Sequence, residues 1–188
     1  MRAFISSRAA RCRFGLTLLL GLTAACSDGI DTFRITETAT ATVPKGTLLE
    51  ELVGGFGFDG FTDLDLTSNQ TLQNQGVKRS QIDSVRMTKL RLEITSPATG
   101  QEFDFLTKIE FFVSADGQTK KRLAAKGPVP DGVKQFDCDL DGIELAPYVA
   151  APAMDITTVT SGKRPSNETT ILATMELLVD VNVAGLFD

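Results

Sequence analysis

The feature that most constrains this chain is an alternation of apolar and polar residues with a period of two. It is clearest near the end, where Ile171, Ala173, Met175, Leu177, Val179, Val181 and Val183 take every second position. Thr170, Thr174, Glu176, Asp180 and Asn182 take most of the positions between them. Side chains alternate across a strand, so such a run buries one face and wets the other. Leu172 and Leu178 interrupt the polar face, which predicts that part of it is covered. The same period runs through Phe33, Ile35, Ala39, Ala41 and Val43, set against Thr36, Thr38, Thr40 and Thr42, until Pro44 ends it.

Further strands are expected over residues 62–67, 82–95, 103–114, 120–125, 133–140 and 153–160. The alternation slips between Met87 and Leu90, which predicts a bulge near Thr88 and Lys89. Asp116-Gly117 is a hairpin signal. Short helical turns are expected at 48–53 and near 70–75, neither long enough to be a main element. About eight strands with no strand-helix-strand alternation predict an all-β domain over 32–188. The expected architecture is an open antiparallel β-sandwich, immunoglobulin-like in its layers, with long loops over 45–60 and 68–81. Strands of such unequal length suit an open sandwich better than a closed barrel.

Residues 1–25 have a different design. Arg2, Arg8, Arg11 and Arg13 supply positive charge with no acidic residue, and a short apolar run from Phe14 to Ala25 follows. That run is too short for a helix across a hydrocarbon core, which takes about 20 residues. With Thr23, Ala24 and Ala25 before Cys26, this is the layout of an export signal. No Arg-Arg pair is present, which favours the general secretory route.

The segment Leu22-Thr23-Ala24-Ala25-Cys26 resembles the lipobox of bacterial lipoproteins. The resemblance covers only these first residues, and Thr23 stands where that family usually has Leu. It implies cleavage before Cys26 and a diacylglycerol on the Cys26 sulfur, so that the acyl chains hold the protein to a membrane. Ser27 follows the cysteine, and no Asp stands there. By the family's sorting rule this implies the outer membrane of a Gram-negative cell, on its periplasmic or its surface face. Thr23-Ala24-Ala25 also suits ordinary signal-peptidase cleavage, in which case Cys26 and Cys138 are free to pair. With lipidation, Cys138 is left as a lone thiol, of the kind usually buried and inert.

Removing residues 1–25 takes away four of the 19 basic residues and none of the 24 acidic ones, so the formal charge moves from -5 to -9. An acidic domain does not bind nucleic acid by neutralising phosphates, nor is it drawn to anionic lipid. The tether Ser27–Asp31 spans at most ~18 Å, which sets the domain beside the membrane.

The chain has no His. That removes Ser-His-Asp and Cys-His catalysis, His-ligated zinc and His-held haem. Three constellations remain. Asp137, Asp139 and Asp141, followed by Gly142, resemble the opening of an EF-hand-like calcium loop. Tyr148 stands where such a loop needs a bidentate Glu, and the alternation with Phe136 reads equally as the acidic outer face of a strand. Phe56, Phe58 and Phe61, spaced by glycines, form a candidate partner-binding loop, or else fold back to plug one end of the sandwich. Asp59, Asp63 and Asp65, with Glu50 and Glu51, are candidate paired acids, but no Trp is present to build a sugar platform.

The expectation is therefore a lipid-anchored envelope protein, not an enzyme, that binds a partner or supports an envelope assembly. The alternative is an envelope lipoprotein that binds calcium or a small ligand. No other cofactor is expected.

Overall fold

A computed structural model describes residues 32–47, 50–52 and 54–182. The expected signal, the Cys26 anchor and Val183 lie outside the described residues. Eight strands are present: β1 (Thr32–Val43), β2 (Ile82–Ser96), β3 (Leu106–Ala115), β4 (Gln118–Lys126), β5 (Gln135–Asp137), β6 (Asp139–Leu140), β7 (Met154–Gly162) and β8 (Thr169–Val181). Two short helices accompany them, α1 (Gln70–Asn74) and α2 (Ala146–Val149). Among the described residues no helix is long and apolar enough to cross a membrane.

The strands form two four-stranded sheets, ordered β1-β8-β2-β5 and β6-β4-β3-β7, with every pairing antiparallel. This is the open two-layer antiparallel sandwich that the period-two pattern predicts. The first and last strands lie side by side, and the chain passes repeatedly between the layers, the winding of a jelly roll. β8 pairs with β1 from Thr32↔Asp180 to Val43↔Thr169 without a shift, and with β2 on its other side. Its inward residues Ile171, Ala173, Met175, Leu177 and Val179 have no exposed surface. Leu172 and Leu178 lie on the outer face, half-buried between Thr40 and Glu93 and between Arg34 and Arg86.

The β2 register shifts between Met87 and Lys89, where the slipped alternation places a bulge. Thr88 there donates its hydroxyl to the carbonyl of Glu176, 3.2 Å away. Asp116 and Gly117 join β3 to β4 as expected.

Two expectations need correction, and they offset each other in the strand count. Residues 62–67 are not a strand. Leu64 makes one isolated bridge to Met154, and Leu66–Ser68 is a 3-10 turn capped by Asp65. The Asp65 carboxylate takes the Thr67 N–H at 2.9 Å and its hydroxyl at 2.7 Å, a local bond that competes with a ladder. Residues 133–140 are not one strand but two. Phe136 pairs with Leu92 in the first sheet, while Asp139 and Leu140 pair with Ala125 and Ala124 in the second. The chain changes layers at Cys138. Of the two expected helical turns, α1 is found. Of the other, at 48–53, Leu48, Leu49 and Val53 lie outside the described residues, and Glu51 bridges to Lys163.

The sandwich has two poles. One carries the starts of β1, β2 and β7, the end of β8, the Asp116-Gly117 hairpin and α2, tied together by Asn182 N–H to Gln81 O and by the Tyr148 hydroxyl to Thr119 O. The other carries the connections after β1, β2, β4 and β7.

Glu144 holds α2 to the first pole. It accepts the Val85 N–H at 2.6 Å, the Ser84 hydroxyl at 2.7 Å and the Ala146 N–H at 3.1 Å. Burial alone pushes its carboxyl up, but these bonds outweigh it and hold the group below its ordinary value. A carboxylate depressed in the folded state stabilises above its unfolded pKa and loses that contribution as pH falls through the folded one. Melting temperature should therefore fall as pH drops below about 4.3. Glu144→Gln should flatten that fall, and an unchanged slope would assign the acid sensitivity to other carboxylates.

Candidate functional site

The segment after β1 closes the open side of the sandwich, and it contains the three candidate phenylalanines. Phe56, Phe58 and Phe61 are 6%, 2% and 0% exposed, so they offer a partner no surface. The partner-loop reading is thus replaced by the plug. Phe58 lies at the centre, its ring 6.2 Å from Phe56, 5.9 Å from Phe61 and 6.0 Å from Phe111 of β3. The backbone of the segment runs along the free edge of β7. Leu52 N–H reaches Gly162 O, Thr160 N–H reaches Gly54 O, and Leu64 and Met154 exchange bonds in both directions. Thr158 and Thr160 add hydroxyl bonds to the carbonyls of Phe56 and Gly54.

The glycines follow from that proximity. A Cβ on Gly55 would stand 2.0 Å from the Thr158 carbonyl oxygen, and one on Gly60 2.9 Å from that of Thr38 in β1. The segment therefore touches the edges of both sheets, and only a residue without a side chain fits at either contact.

The three aspartates of the expected calcium loop do not converge. Asp137 on β5 makes a two-pronged bond to Arg91 on β2, at 2.7 and 3.0 Å. Asp139 pairs with Lys126 at 3.3 Å. Asp141 makes a two-pronged bond to Arg122, at 2.7 and 3.2 Å. Each carboxylate spends its acceptors on a different cation. The Arg91 bond is the main reason that the Asp137 carboxyl lies below its ordinary value. Among the described residues no group of three or more potential ligands comes together to hold a metal. The layer change at Cys138 is what separates Asp137 from the other two.

The acids at 50–65 are also dispersed. Asp65 pairs with Arg79 at 2.7 Å, and Asp63 gives its backbone N–H to Asp155 at 2.9 Å. The Glu50 carboxylate takes the Thr47 N–H at 3.0 Å. Asp63 lines a cleft of about 290 Å³ with Asp116 and Asp155, without the other acids of this set. Cys138 is 7% exposed and unpaired, and burial pushes its thiol up to about 12. It is a poor nucleophile and a poor disulfide partner.

What sequence reasoning missed is a cleft of about 480 Å³ at the second pole. It is lined by Gln101, Glu102, Asp104 and Phe105 from the β2–β3 connection, and by Lys163, Arg164 and Ser166 after β7. Lys163-Arg164 reads in sequence as ordinary edge protection. Nothing in the spacing brings the pair to residues sixty positions earlier.

No family model matches the chain, and no curated protein matches it. It is similar to a solved structure described as the crystal structure of the 60-mer BFDV capsid protein. The identity is 12%, over 80% of this chain and 92% of that one, with a TM-score of 0.34. A likeness at that level carries no functional inference.

Two outcomes follow. Phe58→Ala should cost about 3–5 kcal/mol in urea unfolding, the range for emptying a buried aromatic site. A loss under 1 kcal/mol would mean the ring is not a plug. Calcium added in excess, or a chelator, should leave the melting temperature unchanged, and a rise with calcium would restore the metal reading.

Proposed function

We propose that this is a lipid-anchored envelope protein whose non-catalytic sandwich binds a partner or supports an envelope assembly. The observation that carries the reading is Leu22-Thr23-Ala24-Ala25-Cys26 at the end of a short apolar run that follows four arginines. In this reading the Cys26 sulfur bears the acyl chains, and the protein sits in the outer membrane of a Gram-negative cell. Five residues separate Cys26 from Thr32, the first residue of β1. So short a tether turns the Thr32 pole to the bilayer and the cleft pole away from it.

The acidic balance of the chain supports attachment by lipid rather than by charge. The separate ion pairs of Asp65, Asp137, Asp139 and Asp141 support a binding role over catalysis. The buried, high-pKa Cys138 supports a thioether at Cys26 over a disulfide between the two.

Expression in a Gram-negative host, followed by intact mass and membrane fractionation, tests the reading. The mature chain should begin at Cys26 with the mass of added acyl groups, and Cys26→Ser should leave the membrane fraction. An unmodified Cys26, or a chain two hydrogens short, would overturn it.

A further inference from the structure

The cleft at the second pole is built from fixed parts. The Lys163 N–H donates to Phe105 O at 2.7 Å and the Arg164 N–H to Glu50 O at 3.0 Å, so the backbone carrying both cations is pinned from two sides. The other wall is held by Gln101, which is 7% exposed. Its Oε1 accepts from the Ser166 hydroxyl at 3.2 Å and the Asn167 N–H at 3.3 Å, and its Nε2 donates to Glu102 O at 2.9 Å. Phe105, which lines the cleft between the walls, is 8% exposed and offers a ligand almost no ring surface.

Lys163 and Arg164 belong, with Arg34, Lys45, Lys78, Lys120, Lys121 and Lys134, to the described cations that form no ion pair. Among the described residues, Arg79, Arg86, Lys89, Arg91, Lys108, Arg122 and Lys126 all pair with carboxylates. Lys163 and Arg164 make no such pair although Glu102 and Asp104 line the same cleft. Asp104 has one oxygen engaged by the Gly132 N–H at 2.6 Å, and Glu102 makes no side-chain bond among the described residues. The cleft thus offers an unpaired cationic wall and an unpaired carboxylate on the other wall. Its volume lies in the usual range for small-ligand sites, about 300–1,000 Å³.

We propose that this cleft binds a zwitterionic amino acid or short peptide. Its carboxylate bonds to Arg164 and Lys163 and its ammonium to Glu102. The fork of the Arg164 guanidinium suits a carboxylate. A multiply charged anion such as phosphate is disfavoured by Glu102 and Asp104 facing the same space. The proposal gives the partner-binding reading a ligand class and rests on that reading only for its biological setting. The binding itself does not depend on acylation, so the two fail separately.

The test is titration of the full mature protein, in detergent, with L-alanyl-L-alanine, its N-acetyl form, its C-terminal amide, L-alanine and inorganic phosphate. The free dipeptide should bind saturably, and capping either end should weaken binding by about tenfold, the worth of one charge-assisted bond. Arg164→Gln should abolish the preference for a free carboxyl group, and Glu102→Gln the preference for a free amino group. Both side chains are exposed, so melting temperatures should match the parent. Lys121→Gln, an exposed cation elsewhere, should change nothing. L-alanine binding as well as the dipeptide would identify the free amino acid as sufficient; weaker binding would identify a peptide. Absence of saturable binding by both would overturn the proposal. So would equal binding of the capped forms, phosphate binding more tightly than the dipeptide, or indifference to both variants.

Discussion

Strand β8 is the constraint on which the rest of the structure depends. It is paired on both sides along most of its length, to β1 and to β2. Its backbone donors and acceptors are consumed in ladders, and its inward side chains are shut off from water. A one-residue slip would turn Ile171, Ala173, Met175, Leu177 and Val179 outward together. The register of β1 and β2 is therefore fixed by β8, and the bulge at Thr88 is where β2 absorbs the mismatch this imposes. With the first sheet set, the connections after β1, β2 and β7 must meet at one pole. The cleft is a consequence of that meeting.

A sandwich held this way still has an open side, bounded by β1 of one sheet and β7 of the other. A long unpaired edge invites pairing with another chain. Here the chain covers it with its own segment, which hydrogen-bonds to β7 and presses glycine backbone against both strands. The phenylalanines go inward because the segment has an apolar gap to fill. The same requirement explains why glycine and phenylalanine alternate there: one residue type permits the approach, the other fills the space behind it.

Six strands, β1, β2, β3, β4, β7 and β8, were legible in sequence, and the longest of them, β1, β2 and β8, bury one face over ten or more residues. Their period two survives because burial is one-sided. Residues 62–67 also alternate, but Asp65 diverts the Thr67 N–H and the pattern folds into a turn. Residues 133–140 alternate through Phe136, Cys138 and Leu140, yet Phe136 and the Cys138 N–H meet β2 in one layer while Leu140 pairs with β4 in the other. Alternation records which residues are inside; it does not record which sheet they belong to. The candidate sites failed for a related reason. Carboxylates at i, i+2 and i+4 share a ligand only while their strand is continuous, and a change of layer at Cys138 breaks that. The cleft was illegible because its two walls are brought together by topology alone.

The distribution of ion pairs separates scaffold from surface available for recognition. A surface pair contributes little stability, about 0–1 kcal/mol, so leaving a charge unpaired costs the fold little. Some pairs follow strand register, as Arg91 with Asp137 and Lys89 with Glu176 do, while Arg34, Lys120 and Lys121 on other strands form none. Lys163 and Arg164 fall just past the end of β7, where Lys163 bridges to Glu51 and the Arg164 N–H reaches Glu50 O, yet neither side chain forms an ion pair among the described residues. Their backbones are tied down while their side chains are not neutralised. That combination, a fixed backbone carrying free charge, lowers the ordering cost that a ligand must meet. The ladders that hold the fold end before this pole begins, so charge left free there costs the fold little.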